Sequence, residues 1–477
     1  MQTFGRIAVS ALTLALAACQ SMRGPEPVTK TDVPMQYASN NQGTSIASQG
    51  YKNFFSDARL VQVLDLAIAN NRDLRTAVLN IQKVQDQYQI TKNNQLPTIG
   101  SSAGYTRSST LSTGYKATDV YNIGLGVTSY ELDFWGRVKS LKDAALDNYL
   151  ATQSARDATQ ISLISQVAEA WLNYSYATAN LQLAQQTLTA QENSYALNKK
   201  RFDVGIDSEV PLRQAQISVE TARADVANYK TQIAQAQNLL NLLVGQNVPN
   251  DLLPKQIVHS VTQQNVLTSG LPSDLLQNRP DIQQAQYQLS AAGANVGAAK
   301  AKLFPTISLT SSAGLASTEL SNLFKSGSFV WSVAPSLDLP IFDWGTRKAN
   351  IRISQTDQQL YVASYEKAVQ TAFREVSDAL ATRQNIGDRL TAQRNLVQAT
   401  NRNYQLSTAR FRAGIDNYLT VLTSQQNLYS AQLGLLALEQ ANLNNQVELY
   451  KTLGGGVKTY TADQIQHQPS SQERHQQ

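Results

Sequence analysis

Twice along this chain a helical hydrophobic pattern gives way to strict alternation and then returns. From Asp57, apolar residues recur at helical intervals (Leu60, Val63, Leu64, Ala67, Ile68), and Asn71-Arg72-Asp73-Leu74 opens a second helical stretch that runs to Gln95. Leu96-Pro97-Thr98 breaks that helix, because proline cannot donate to the helical ladder. Tyr121, Ile123, Leu125 and Val127 then alternate with Asn122, Gly124, Gly126 and Thr128, a period of two that predicts a strand. With the weaker alternation of Thr98 to Arg107, and Leu111 to Thr118 as the connecting loop, residues 98–132 read as a hairpin.

The second half repeats these events. Asp281 precedes Pro305 by 24 residues, as Asp73 precedes Pro97. Ile307, Leu309, Ala313 and Leu315 alternate with Thr306, Ser308, Thr310 and Gly314. On the return strand Phe329, Trp331, Val333, Leu337, Leu339 and Ile341 share one face, and Ser328, Ser332, Ser336 and Asp338 the other. Residues 305–341 therefore form a second predicted hairpin. An apolar face opposite small polar residues suits a lipid-facing barrel strand, although a half-buried soluble sheet shares the pattern.

Each hairpin ends at Trp-Gly, in Asp133-Phe-Trp-Gly-Arg137 and Asp343-Trp-Gly-Thr-Arg347, where aromatics suit a membrane interface and glycine a sharp turn into helix. Helical patterns of 67 residues follow, over 137–203 and 346–412; each would extend about 100 Å. Tyr174, Leu181, Leu188, Tyr195 and Phe202 recur every seven residues, as do Leu390, Val397, Tyr404 and Phe411, which predicts coiled-coil packing. Both helices end in one motif: Arg201, Phe202, Gly205, Ile206 and Asp207 reappear as Arg410, Phe411, Gly414, Ile415 and Asp416, 209 residues on. Return helices near 210–243 and 418–453 stop at Gly245 and Gly454, again 209 apart. The expected class is α+β and internally duplicated. Its segments are 51–245 (first repeat, tip near 205), 246–275 (irregular connector), 276–456 (second repeat, tip near 414) and 457–477 (polar tail).

Composition narrows the function. Hydrophobic residues make up 42% and charged residues only 16%, below the usual quarter, so uncharged polar groups are left for helix seams or a pore wall. The net charge is +5, but the basic residues are scattered rather than clustered, so no nucleic-acid partner is expected. The single cysteine, Cys19, follows a basic start and an apolar run from Ile7 to Ala18 that is too short to span a membrane. Residues 1–18 read as a signal peptide, and Leu16-Ala-Ala-Cys19 resembles a bacterial lipobox in which the thiol accepts a diacylglycerol. Residues 19–50 would be a linker from that anchor. His259, His467 and His475 have no metal-ligand spacing, and no nucleophile elbow, phosphate loop or dinucleotide fingerprint occurs. No enzyme activity, cofactor or metal is expected.

Several motifs together resemble the TolC-type outer membrane factors, in the lipoprotein efflux branch of OprM and AdeK. They are Leu96-Pro-Thr-Ile, Tyr130-Glu-Leu-Asp-Phe-Trp-Gly-Arg137, Asn278-Arg-Pro-Asp281, Leu289-Ser-Ala-Ala-Gly-Ala-Asn295, Leu303-Phe-Pro-Thr-Ile, Leu339-Pro-Ile-Phe-Asp-Trp-Gly and Leu449-Tyr-Lys-Thr-Leu-Gly-Gly455. The likeness runs from Cys19 to about residue 457. It implies a homotrimer in the outer membrane, with four strands per protomer in one shared β-barrel, continued by a long periplasmic α-helical coiled-coil barrel. A periplasmic adaptor and an inner-membrane RND transporter would complete a multidrug efflux pump. It further implies a gate at the periplasmic tip, at Asp207, Glu209, Arg213, Asp416, Leu419 and Thr423. The adaptor would contact Arg201, Phe202, Gly205, Ile206, Arg410, Phe411, Gly414 and Ile415. Relatives often carry acidic residues where Thr420 and Thr423 stand, so a carboxylate ring is not expected there. The same charges read equally as solvated helix ends. Two other readings stay open: a type I protein-secretion duct, and a lipid-anchored coiled-coil scaffold without a pore.

Overall fold

The computed structural model describes residues 22–25, 27–29, 49–109, 114–262 and 278–456. The signal segment, Cys19, connector residues 263–275 and the tail 457–477 lie outside the described residues. The first repeat runs α1 Tyr51–Phe54, α2 Ala58–Asn70, α3 Arg72–Asn93, β1 Ile99–Ser109, β2 Ala117–Glu131, α4 Arg137–Asp203 and α5 Glu209–Val244. The second runs α6 Pro280–Ala301, β3 Thr306–Ser317, β4 Phe329–Asp338, α7 Thr346–Arg412 and α8 Tyr418–Thr452. The chain is thus α+β and internally duplicated. Among the described residues no helix is long and apolar enough to cross a membrane.

Two compact units divide these elements. The first gathers Asn80–Gln153 and Gln284–Lys367 and contains the sheet. Its strands are antiparallel in the order β1-β2-β3-β4, leaving β1 and β4 as open edges. Register places Leu125 opposite Ala313 and Ile123 opposite Leu315, then Ala313 opposite Trp331 and Leu315 opposite Phe329. One face is therefore apolar across β2, β3 and β4. The other is small and polar, with Ser308 Oγ 2.7 Å from Ser336 Oγ and Ser312 Oγ 2.8 Å from Ser332 Oγ. Leu125 (60% exposed) and Trp331 (70%) are left largely uncovered among the described residues. The last strand stops at Asp338, short of the expected Ile341, because Pro340 has no N–H to continue the ladder.

Both strand-to-helix junctions are held by aspartate caps. Asp133 accepts from the backbone N–H of Val138 (3.0 Å) and Lys139 (2.7 Å). Asp343 accepts from the backbone N–H of Gly345 (3.0 Å) and Arg347 (3.1 Å). The Arg347 guanidinium, bonded to Asp343, holds that carboxyl below the usual aspartate range. After β2, Trp135 stacks on Phe304 with ring centroids 4.7 Å apart, and its indole N–H donates to Pro305 O at 2.8 Å. Part of the expected linker also packs here: Arg23 donates to Ser290 Oγ at 2.8 Å, and Ser290 donates to Asp147 at 2.5 Å.

The second unit consists of the described residues of Thr31–Leu79, Ser154–Gln283 and Ala368–Gln477. Its core includes the fully buried Trp171, Tyr176, Leu60, Leu64 and Ile164. The connector is irregular but anchored, since Trp171 Nε1 donates to Leu252 O and Tyr176 Oη to Val258 O, each at 3.0 Å. α1, which the hydrophobic pattern does not announce, adds Phe54, stacked 4.5 Å from Tyr450. Both return helices end on a glycine in the left-handed region, Gly245 at φ 79° and Gly454 at φ 100°. A Cβ at either would lie 2.5 Å from a carbonyl oxygen, of Asn70 or of Asn278, so only glycine fits. At the second of these points Arg279 is buried and donates to Asp281 (2.6 Å) and Thr452 O (3.0 Å), with Glu375 at 2.9 Å. These paired charges and bonds satisfy a guanidinium that would otherwise be costly to bury.

Candidate functional site

The two tips lie in the second unit and are built alike. At the end of α4, Gly205 takes φ 75°, which lets its N–H bond Phe202 O at 2.9 Å and the N–H of Ile206 bond Arg201 O at 2.9 Å. At the end of α7, Gly414 takes φ 74°, with Gly414 N–H to Phe411 O at 3.0 Å and Ile415 N–H to Arg410 O at 2.9 Å. This is the glycine helix stop, in which a left-handed residue pairs the last free carbonyls.

Each turn is then locked by its own ion pair. Arg201 donates to Asp207 through Nε (2.5 Å) and a terminal nitrogen (3.3 Å). Arg410 donates to Asp416 in the same way, at 2.6 and 2.9 Å. A forked guanidinium–carboxylate pair fixes geometry as well as charge. The Arg410 hydrogen bond holds the Asp416 carboxyl below the usual aspartate range, and Asp207 and Asp416 hold their arginines above theirs.

The tips differ underneath. Phe411 is 6% exposed and belongs to a cluster with Ala215, Tyr418, Val421 and Leu422, flanked by Tyr195 and Tyr404. The Arg201 guanidinium lies 5.1 Å from the Phe411 ring centroid, so one tip is pinned to the other through a cation–π contact. Burial pushes the Tyr418 hydroxyl up to about 12. Phe202, by contrast, is 39% exposed. Above the tips, Tyr429 of α8 donates to Asp225 of α5 at 3.2 Å, tying the two return helices together.

The residues assigned by sequence to a gate fall into three groups. Asp207 and Asp416 are the turn locks just described. Glu209 and Arg213 form an exposed pair one helical turn apart, with Arg213 Nε to Glu209 Oε1 at 2.8 Å. Leu419 and Thr423 are exposed at the start of α8. Every ionic member of the set is therefore paired within the chain. Thr420, where relatives often carry an acid, serves the start of the helix: its N–H and hydroxyl both meet Asn417 Oδ1, at 3.1 and 3.0 Å.

Of the residues assigned to adaptor contact, Phe202, Ile206 and Ile415 are open, while Phe411 is a core residue of the tip. Val204, inside the first turn, and Val210 are also exposed, and nothing in the spacing of Val210 marks it in the sequence. The tips thus present an apolar surface around two rigid turns. Among the described residues, no group of His, Cys, Asp or Glu is arranged to hold a metal ion.

The family described as "Outer membrane efflux protein" matches residues 63–246 and 271–455, one match on each repeat. The chain is 41% identical over 428 residues to the antibiotic efflux pump outer membrane protein ArpC of Pseudomonas putida, covering 89% of this chain and 88% of that one. It is 37% identical over 451 residues to the cation efflux system protein CusC of Escherichia coli, covering 93% and 97% respectively. Among solved structures it is similar to the open state of the Neisseria gonorrhoeae outer membrane channel MtrE, with a TM-score of 0.85, 37% identity and coverage of 92% and 99%.

Proposed function

Because this chain belongs to the outer membrane efflux protein family, we propose that it is the exit duct of a tripartite efflux pump, assembled as a trimer and opened at its tips by a periplasmic adaptor. It is an outer membrane channel, a passage rather than an enzyme. The observation that carries the proposal is the open four-stranded sheet, apolar on one face and polar on the other, with two unpaired edges. Such edges are unsustainable in lipid, and four strands do not close a barrel. Three copies bring about twelve strands, within the range of membrane barrels. The polar face then lines water and the face of Leu125 and Trp331 meets lipid.

The tips supply the second half of the reading. Their exposed apolar side chains suit the helical hairpins of an adaptor, and the locked turns give that partner a fixed surface. An inner-membrane RND transporter provides the energy, and a lipid on Cys19 anchors the mature chain. ArpC and CusC are named for antibiotics and cations at similar identity, which supports placing substrate choice in the pump and adaptor rather than in the duct.

Deleting the gene in its host is expected to raise susceptibility to several unrelated antibiotics and leave secretion of a reporter toxin intact. Lost toxin secretion with unchanged susceptibility would identify a type I secretion duct instead. Recovery of the chain in the soluble periplasmic fraction would identify a scaffold. Radiolabelled palmitate should mark the wild-type chain; label retained on Cys19→Ala would refute the lipid anchor.

A further inference from the structure

The contact between Trp135 and the Phe304-Pro305 step joins the end of one hairpin to the beginning of the next. Trp135-Gly136 follows β2 and leads directly into α4. Phe304-Pro305 closes α6 and leads into β3, the neighbour of β2. The internal repeat provides each half of this contact a second time. Trp344-Gly345 follows β4 and leads directly into α7, and Leu96-Pro97 closes α3 and leads into β1. Pro97-Thr-Ile and Pro305-Thr-Ile are the same sequence.

Within one chain these second halves cannot meet, because β1 and β4 are opposite edges of the sheet. Trp344 is 99% exposed and Leu96 is 66% exposed. Trp344 also holds φ 53°, in the left-handed region that bulky residues avoid. A strained, wholly uncovered tryptophan is an expensive feature unless another surface completes it.

We propose that Trp344 seats on Leu96-Pro97 of the next copy of this chain, its indole N–H donating to the Pro97 carbonyl as Trp135 donates to Pro305. The inference rests on the trimeric reading above. The contact is head-to-tail, so the same pair recurs at every seam and closes a ring when the rotation between copies closes. It forms where β4 of one copy runs beside β1 of the next, as β2 runs beside β3 inside the chain. Leu96 replaces Phe304, so the ring-on-ring stack becomes a ring on an aliphatic side chain, while the hydrogen bond, made to backbone, is kept. Trp344 is thereby a specificity device: it pins the seam at the one level where strand and helix meet.

Cys19 is the single native cysteine, which makes cross-linking informative. In membranes treated with a short bifunctional thiol reagent, Leu96→Cys/Trp344→Cys is expected to run as covalent dimers and closed trimers after boiling. Either single variant should run as monomer. If the wild type is a trimer by native mass yet the double variant stays monomeric, the seam contact is wrong, the trimer stands, and Trp344 faces lipid. If the wild type itself is monomeric, both readings fall. Should the cysteine variant not assemble, the alanine variants decide. Trp344→Ala and Leu96→Ala should each lower the temperature at which the trimer dissociates, and the pair together by no more than the larger single effect. Fully additive shifts would overturn the contact.

Discussion

Arg410 and Asp416 stand six residues apart across a glycine turn, a spacing that no helical rule would pair. The same is true of Arg201 and Asp207. The sequence shows both pairs only as repeated letters, and there the aspartates read as gate residues implied by the resemblance or, equally, as solvated helix ends. The structure turns each toward its own arginine. Glu209 and Arg213, by contrast, stand at the i,i+4 spacing that helical geometry pairs, and the structure pairs them. The depressed pKa of Asp416 has a definite sign. A carboxyl lowered in the folded state contributes stability that is complete above its unfolded pKa and is lost as pH falls through the folded value. The second tip should therefore keep its amide hydrogen-exchange protection, corrected for intrinsic rates, through neutral and mildly acid pH. Protection should fail only below the ordinary aspartate range. Asp416→Asn should lower protection across the range and remove the acid transition; an unchanged transition in that variant would assign it to another group.

The long helices were the easiest elements to read. Nothing in 137–203 or 346–412 forces a break, and α4 and α7 occupy those spans. Which stripe of α4 is buried was less legible. The aromatic and leucine residues at seven-residue spacing are not its deepest positions: Tyr174, Leu181, Leu188 and Tyr195 are only half-buried. The deeper stripe of α4 is Ala177, Ala184, Gln191 and Asn198, offset by three positions and invisible to a hydrophobicity count. The same ambiguity separates two phenylalanines that look identical in sequence. Phe411→Ala should cost about 3–5 kcal/mol, as for a buried aromatic truncated to alanine, and loosen α7–α8 locally. Phe202→Ala should leave stability within about 1 kcal/mol and weaken capture of the adaptor. Denaturant unfolding with adaptor pull-down checks both; equal stability losses would show that the tips are equivalent after all.

At the scale of the molecule, duplication is the organising fact. Two hairpins, two long helices and two tips allow three chains to act as six near-equivalent units around one pore. The alternating segments alone did not separate a lipid-facing barrel from a soluble sheet, because period two is common to both. The register settles which residues share a face, and the family match shows an outer membrane efflux protein; that this sheet is the part in the membrane is the proposal drawn from the two together. The central claim is a water-filled duct held shut at the tips, and single-channel conductance in planar bilayers tests it most directly. The wild-type trimer should conduct poorly, and Asp416→Ala, which frees Arg410 and unlocks the second turn, combined with Arg213→Ala, which frees Glu209, should loosen the tips and raise conductance several-fold. A high resting conductance, unchanged by those substitutions, would contradict the account.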